Sequence, residues 1–345
     1  MATGAQQIVV LVLASAIIVI TSFSIVPWLL VEGNAQEKEG SAEPSSQSQR
    51  LCSREELRNG QWSEPDRNAT PPYIPTERWH RSCYGKDPNK LEGYYKSSWS
   101  APCAFDELQE DTFCALVENQ TLAFIGDSIT WQQFEAIEGS LKSTDVQRNS
   151  NFILVRACSN RTTMLWSKNN YILVGGVMQI LQTYEPDIVV TNRGAHYLPD
   201  EELVPHLNAT LATFKTWQES HDMRLIWRTT APGVPSCSSE YAPNNDLNDV
   251  LASRVHNRSS WYGIGQRSVF SWWDFERQNA LVMNLIESSD VQFEVIDAFE
   301  MYTTRPDLRI SQKDDKEKDC LHQCLPGVPD ESNRVLQHIL QQQQQ

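Results

Sequence analysis

The sequence predicts an α/β fold, a mainly parallel sheet layered by helices, and three observations lead there. Beyond residue 120, short apolar runs alternate with segments of helical periodicity, the pattern of a sheet covered by helices. The run Thr121-Leu122-Ala123-Phe124-Ile125 is short and almost wholly apolar, which suits a strand buried on both faces, and a helical pattern follows it. Two later runs pass directly into Asn, Arg, Gly and Pro, and open α/β sheets gather ligand groups at the carboxyl ends of their strands.

Taken in order, strands are expected over 121–125, 152–155, 171–174, 187–191, 224–227 and 293–296. Helices are expected over 129–141, 177–184, 201–219 and 275–287, with a last one over 330–341 that has Asp330 as N-cap. Together residues 119–340 make the expected catalytic domain. Before it, residues 51–118 are rich in Pro, Trp, Tyr and Cys and show little periodicity, which reads as an irregular lobe pinned by disulfides. Residues 32–50 hold almost no apolar side chain and read as a disordered stalk. The glutamines of 341–345 form a low-complexity tail.

Residues 8–31 are uncharged, largely apolar and long enough to cross a bilayer. No Lys or Arg precedes them, and the apolar stretch is longer than that of a usual signal peptide. They are expected to be an uncleaved signal anchor with the bulk of the chain in the lumen; the alternative is cleavage near Ala35 and secretion. All eight cysteines follow that segment, an even count that suits an oxidising compartment. Sequons begin at Asn68, Asn119, Asn160, Asn208 and Asn257. The net charge of −15 excludes nucleic acid as the main partner, since phosphates require clustered cations.

The chemistry rests on two distant motifs. Gly126-Asp127-Ser128 sits where the first strand turns into a helix, where unpaired N–H groups and the helix dipole favour a developing oxyanion. Asp127 or Ser128 is also a good N-cap residue. Asp319-Cys320-Leu321-His322 supplies an imidazole and a carboxylate, which one tight turn can present together. A serine needs a base to take its proton and a carboxylate to hold that base's tautomer, so Ser128, His322 and Asp319 form a candidate triad. In Asn192-Arg193-Gly194-Ala195-His196, the Asn192 amide is an oxyanion donor candidate, and Arg193 and His196 are substrate-binding candidates. Arg228 leaves the strand 224–227 and is either a substrate or a structural cation. Cys320, His322 and Cys324 lack the further ligands of a structural zinc site, so no metal is expected.

The set Gly126-Asp127-Ser128, Asn192-Arg193-Gly194, Trp227-Arg228-Thr229-Thr230 and Asp319-Cys-Leu-His-Gln-Cys-Leu-Pro-Gly-Val-Pro-Asp330 resembles the PC-esterase group. That group includes the plant trichome-birefringence-like polysaccharide O-acetyltransferases and, more distantly, the lumenal domain of sialate O-acetyltransferases. The resemblance implies an SGNH-hydrolase-like three-layer sandwich and a type II anchor in the Golgi membrane. It further implies an acetyl-Ser128 intermediate passed to a glycan hydroxyl, with His322 as base, Asp319 as orienting carboxylate, and Ser128 N–H and Asn192 as oxyanion donors. No cofactor is implied beyond an acetyl donor, such as acetyl-CoA, as co-substrate. The family pattern pairs Cys52 with Cys103, Cys237 with Cys320 and Cys83 with Cys324, leaving Cys114 with Cys158. Plant members continue Gly-Asp-Ser with Leu-Asn-Arg-Asn-Gln-Trp-Glu-Ser, whereas here Ile129-Thr130-Trp131-Gln132-Gln133-Phe134-Glu135-Ala136 keeps only Gln133 and Glu135. Plant acceptors such as xylan therefore do not carry over. An acetylesterase with the same triad and a non-catalytic glycan-binding protein are the rival functions.

Overall fold

A computed structural model of the chain describes residues 52–75 (except 65 and 67), 97–233 (except 104), 271–311 (except 306 and 307) and 318–342. Its centre is a seven-stranded sheet of β3 (Thr121–Gly126), β4 (Thr144–Arg148), β5 (Phe152–Ala157), β6 (Thr162–Lys168), β7 (Ile188–Thr191), β8 (Arg224–Arg228) and β9 (Glu294–Ile296). Across the sheet they run β4-β5-β6-β3-β7-β8-β9. The pairs from β6 through β9 are parallel, and β4 and β5 extend the sheet antiparallel. From β3 the chain therefore passes to the far edge at β4, works back through β5 and β6 to the side of β3, then crosses to its other side at β7. Such a reversal opens a crevice at the carboxyl ends of the strands beside β3.

Two apolar layers follow from the period of the strands. Leu122 and Phe124 of β3 face one layer, Ala123 and Ile125 the other, and β7 and β8 alternate in step. The first layer takes α3 (Ser128–Ser140), the short α7 (Phe299–Thr303) and α8 (Val328–Gln342), contributing Phe134, Ile137, Tyr302, Val335 and Leu336. The second takes α4 (Val174–Tyr184), α5 (Asp200–Gln218) and α6 (Phe275–Glu287). The result is the expected three-layer α/β/α sandwich.

The N-terminal lobe is held by this core. It contributes α1 (Arg54–Arg58), the two-residue pair β1 (Gln61–Trp62) and β2 (Trp99–Ser100), and α2 (Glu110–Leu116). Leu57, Trp62 and Trp99 are buried in the first layer beside Phe124. Polar residues of α8 bind the lobe's backbone: Arg334 donates to the carbonyls of Trp99, Phe105 and Asp106, and Gln337 to that of Glu107. Disulfides join Cys52 to Cys103 and Cys114 to Cys158. Cys324 is also disulfide-bonded. Its expected partner Cys83, Cys237, and the side chain of Cys320 lie outside what the structure describes.

Four sequence expectations change. Residues 171–174 are not a strand: Ile172 has φ +51°, and the Asn169 amide closes the turn by bonding both N–H and C=O of Leu173. β6, with threonines at its start, and the wholly exposed β4 were not anticipated. The Asp319–His322 segment is not a tight turn. It lies on β11 (Lys318–Gln323), paired antiparallel with β10 (Arg309–Ser311). Helix α8 starts at Val328, so Asp330 lies within its first turn and caps it by accepting from Gly327 N–H at 2.7 Å. Among the described residues no helix is long and apolar enough to cross a membrane; residues 8–31 and the stalk lie outside them.

Two outcomes are expected. Replacing Cys114 and Cys158 by Ser opens a link between residues 44 apart and should cost about 2–5 kcal/mol, read from urea midpoints at fixed redox conditions. Desolvation pushes the Asp330 carboxyl up to about 6, so folding takes up a proton there. That stabilisation is full below the unfolded value of about 4 and is lost as pH rises through about 6. Denaturation midpoints across that window should fall in the wild type and fall less steeply in Asp330→Asn, where Glu331, pushed up to about 7 by desolvation, still contributes.

Candidate active site

Asp127 builds the turn that carries Ser128. Its wholly buried carboxylate caps α3 by accepting from Ile129 and Thr130 N–H, and its other oxygen accepts from Ala195 N–H at 2.6 Å. Asp127 is thus the cap and Ser128 the first helical residue, so capping and exposure of the serine coexist. The Ala195 bond brings the loop after β7 against the helix start. Gly194 makes this approach possible with φ +88°, where an added Cβ would lie 2.5 Å from Asn170 C=O.

Across the crevice, Ser128 Oγ and His322 Nε2 are 2.7 Å apart, and both residues are only partly buried. They stand 194 residues apart in the chain. Gln132, one helical turn beyond Ser128, fixes their approach: its amide oxygen accepts from Gln323 N–H at 3.0 Å and its nitrogen donates to Gln323 C=O. The side chain behaves as one more strand partner for the residue next to His322. Asp319 lies three residues before His322 on β11. Register breaks there, since Arg309 pairs with Gln323 but Ser311 with Lys318, which interrupts regular strand alternation between the two residues. The Asp319 side chain is outside the described part of the structure.

Asn192 directly follows β7 and is buried. Its Oδ1 accepts from Thr130 Oγ1 at 2.8 Å, while its Nδ2 is buried with no hydrogen-bond partner. An unmatched buried donor beside a serine-bearing helix N-terminus suits a developing oxyanion. His196 is half-buried and electrostatically coupled to His322. Burial, Lys168, Arg193 and His322 lower its pKa, against the pull of Asp127.

Both arginine candidates of the site are buried. Arg193 is buried and spends its guanidinium on Gly194 and His196 carbonyls, at 2.7 and 2.8 Å, on Gln278, and over the Phe275 ring. Desolvation lowers its pKa to about 10. It shapes the 193–196 loop from inside. Arg228 is wholly buried behind the site and donates to Thr130 Oγ1. Sequence reasoning missed Gln132 and Thr130; the available signal was polar residues on the face of α3 that packs inward. A separate cavity of about 340 Å³ includes Ser140 at the far end of α3 and excludes Ser128 and His322.

With this geometry in hand, comparison adds a family. Residues 202–339 match the model of PC-Esterase, the GDSL/SGNH-like acyl-esterase family found in Pmr5 and Cas1p. The chain contains a PC-esterase domain. The match spans about two fifths of the chain. Within it lie Arg228, Asp319 and His322, while Ser128 and Asn192 precede it and join through the sheet. No curated protein matches the sequence. Among solved structures, 5'-methylthioadenosine/S-adenosyl homocysteine nucleosidase of Campylobacter jejuni aligns at 10% identity over 64% of this chain and 99% of that one. Its TM-score of 0.22 is too low to inform the fold.

Gln132→Ala leaves Gln323 N–H without its partner and should cost about 1–3 kcal/mol in urea unfolding. It should also slow labelling of Ser128 by a fluorophosphonate under conditions where the variant stays folded. Unchanged labelling would remove Gln132 from the positioning of His322.

Proposed function

We propose that this protein is a membrane-anchored lumenal O-acetyltransferase that carries acetyl on Ser128 and passes it to a glycan hydroxyl. The observation that carries the reading is the 2.7 Å contact of Ser128 Oγ with His322 Nε2, in a chain with a PC-esterase domain. In the first half-reaction Ser128 Oγ attacks the acetyl carbonyl of a donor such as acetyl-CoA while His322 takes the hydroxyl proton. The oxyanion of the tetrahedral intermediate accepts hydrogen bonds from Ser128 N–H and Asn192 Nδ2. Collapse expels the donor's thiolate, which receives the proton from His322 and leaves acetyl-Ser128. In the second half-reaction His322 deprotonates an acceptor hydroxyl, which attacks the ester and restores Ser128. Asp319 orients the His322 ring and stabilises its charged form.

The anchor assigned to residues 8–31, the disulfides and the exposed Asn68, Asn119, Asn160 and Asn208 of the sequons support a site in the Golgi lumen. An acetylesterase is the second reading, favoured by the acyl-esterase description of the family. It differs only in that water resolves acetyl-Ser128.

Full-length protein in detergent, given an acetyl donor with and without a panel of glycans, separates the two. Acetylated glycan detected by mass spectrometry is expected. Free acetate alone, at a rate indifferent to every acceptor, would replace transferase with esterase. Ser128→Ala should lower turnover by at least about 1,000-fold with the thermal transition retained; full turnover in that variant would dismiss Ser128 as nucleophile.

A further inference from the structure

We propose that Thr130 and Arg228 are positioning residues of the oxyanion site, a two-bond relay that dictates which end of the Asn192 amide is free to bind the reacting oxygen. The inference rests on reading Ser128 as the acyl-accepting nucleophile.

The relay begins with a group that has no choice of role. A guanidinium only donates, and Arg228 Nη2 donates to Thr130 Oγ1 at 3.1 Å. Having accepted from Arg228, the hydroxyl directs its single proton to its other partner, the Asn192 side chain 2.8 Å away. The acceptor of that proton is Oδ1, which faces Thr130, and Nδ2 is left over. Nδ2 is the buried amide nitrogen without a hydrogen-bond partner. The two ends of an amide are nearly equal in shape, and packing alone distinguishes them poorly. A donor-only group two bonds away takes one lone pair of the hydroxyl and so favours the orientation that gives the hydroxyl's proton an acceptor.

Gly126 leaves room for this arrangement. A Cβ at that position would stand 2.2 Å from Thr130 Oγ1 and 2.7 Å from Asn192 Oδ1, in the space where the two side chains meet. The first residue of Gly-Asp-Ser thereby serves the amide, as the second serves the helix start and the third the contact with His322. Arg228 is wholly buried, its Nε and Nη1 lack hydrogen-bond partners, and no carboxylate forms an ion pair with it among the described residues. Burying an unpaired cation carries a desolvation cost. Here its positive field lies behind the amide that meets the oxyanion, where negative charge on the substrate offsets that cost only as the tetrahedral intermediate forms. Bonds in series from a cation also polarise one another, which strengthens the final N–H donor.

Thr130→Val preserves shape and removes both bonds. With p-nitrophenyl acetate as donor and the full-length protein, kcat and the rate of Ser128 acetylation, followed by mass spectrometry, should fall about 10- to 100-fold with KM within about twofold. Thr130→Ser, which keeps the hydroxyl, should recover most of the rate; Thr130→Ala provides a second hydroxyl-free variant if the valine variant misfolds. The deciding measurement is a double-mutant cycle. In an Asn192→Ala background the loss caused by removing the Thr130 hydroxyl should nearly vanish, because the relay has no amide left to orient. An undiminished loss in that background, or an Asn192→Ala enzyme that acetylates Ser128 at the wild-type rate, overturns the relay while leaving Ser128 as nucleophile. A wild-type enzyme that turns over without ever carrying acetyl on Ser128 overturns the nucleophile assignment and the relay together.

Discussion

The buried carboxylate of Asp127 is the constraint on which the site depends. One oxygen ends two unpaired N–H groups at the start of α3, and the other grips Ala195 N–H in the loop after β7. Strand pairing alone aligns β3 with β7 up to Ile125 and Thr191. Beyond those residues the chains diverge, one into a helix and one into a loop, and no ladder can hold them. Asp127 supplies the missing cross-link immediately beside Ser128 and Asn192. Arg193 supports the same loop from the opposite side, bonding Gly194 and His196 carbonyls from within the protein. The site is therefore two strand ends joined by side chain to backbone bonds, which transmit the rigidity of the sheet to groups that lie outside it.

Helix α3 extends this order toward the C-terminal part of the chain. Its sheet-facing residues, Phe134 and Ile137, pack in the first apolar layer. Its buried Gln132 faces β11 instead and clasps the backbone of Gln323, while Asn333 of α8 donates to the backbone C=O of Gln133 at 2.9 Å. Helix α8 in turn binds the lobe through Arg334, Gln337 and His338, the last bonded to Cys52 C=O at 3.1 Å. Backbone groups of an irregular lobe cannot satisfy one another in a ladder, so long polar side chains do it for them. This explains why a region with little periodicity of its own shares the core of the sandwich.

How much of this was legible in the sequence follows from the same physics. The strands β3, β7 and β8 were readable because they are buried on both faces and so are apolar without interruption. The apolar run of β6 is only Met164-Leu165-Trp166, set between two threonines and Ser-Lys, and β4 has no buried residue at all, so neither offers a run of strand length. The opposite error, a strand over 171–174, arose because Ile172 and Leu173 are apolar, yet Asn169 folds them into a turn and leaves Leu173 45% exposed. Ser128, His322 and Asn192 could be proposed from motifs, since their chemistry is local. Gln132, Thr130 and Arg228 act through partners far along the chain, and separations of 191 and 98 residues leave no local trace.

The two histidines at the site bear on the acyl-transfer reading in a way that distances alone do not. His322 must become a cation when it takes the proton of Ser128, and a second imidazolium nearby would oppose that step. His196 is coupled to His322, but burial first, and the charges of Lys168 and Arg193 beside it, hold its pKa below the ordinary value. It therefore stays neutral where an unperturbed imidazole would begin to charge, and it keeps its capacity both to donate and to accept a hydrogen bond. Burial also removes Arg193 from contact with substrate, leaving His196 as the member of the Asn192–His196 loop that combines a polar side chain with partial exposure. A neutral polar group at that place suits an uncharged hydroxyl-bearing acceptor better than an anionic one, which would be drawn to a guanidinium that the fold has placed out of reach.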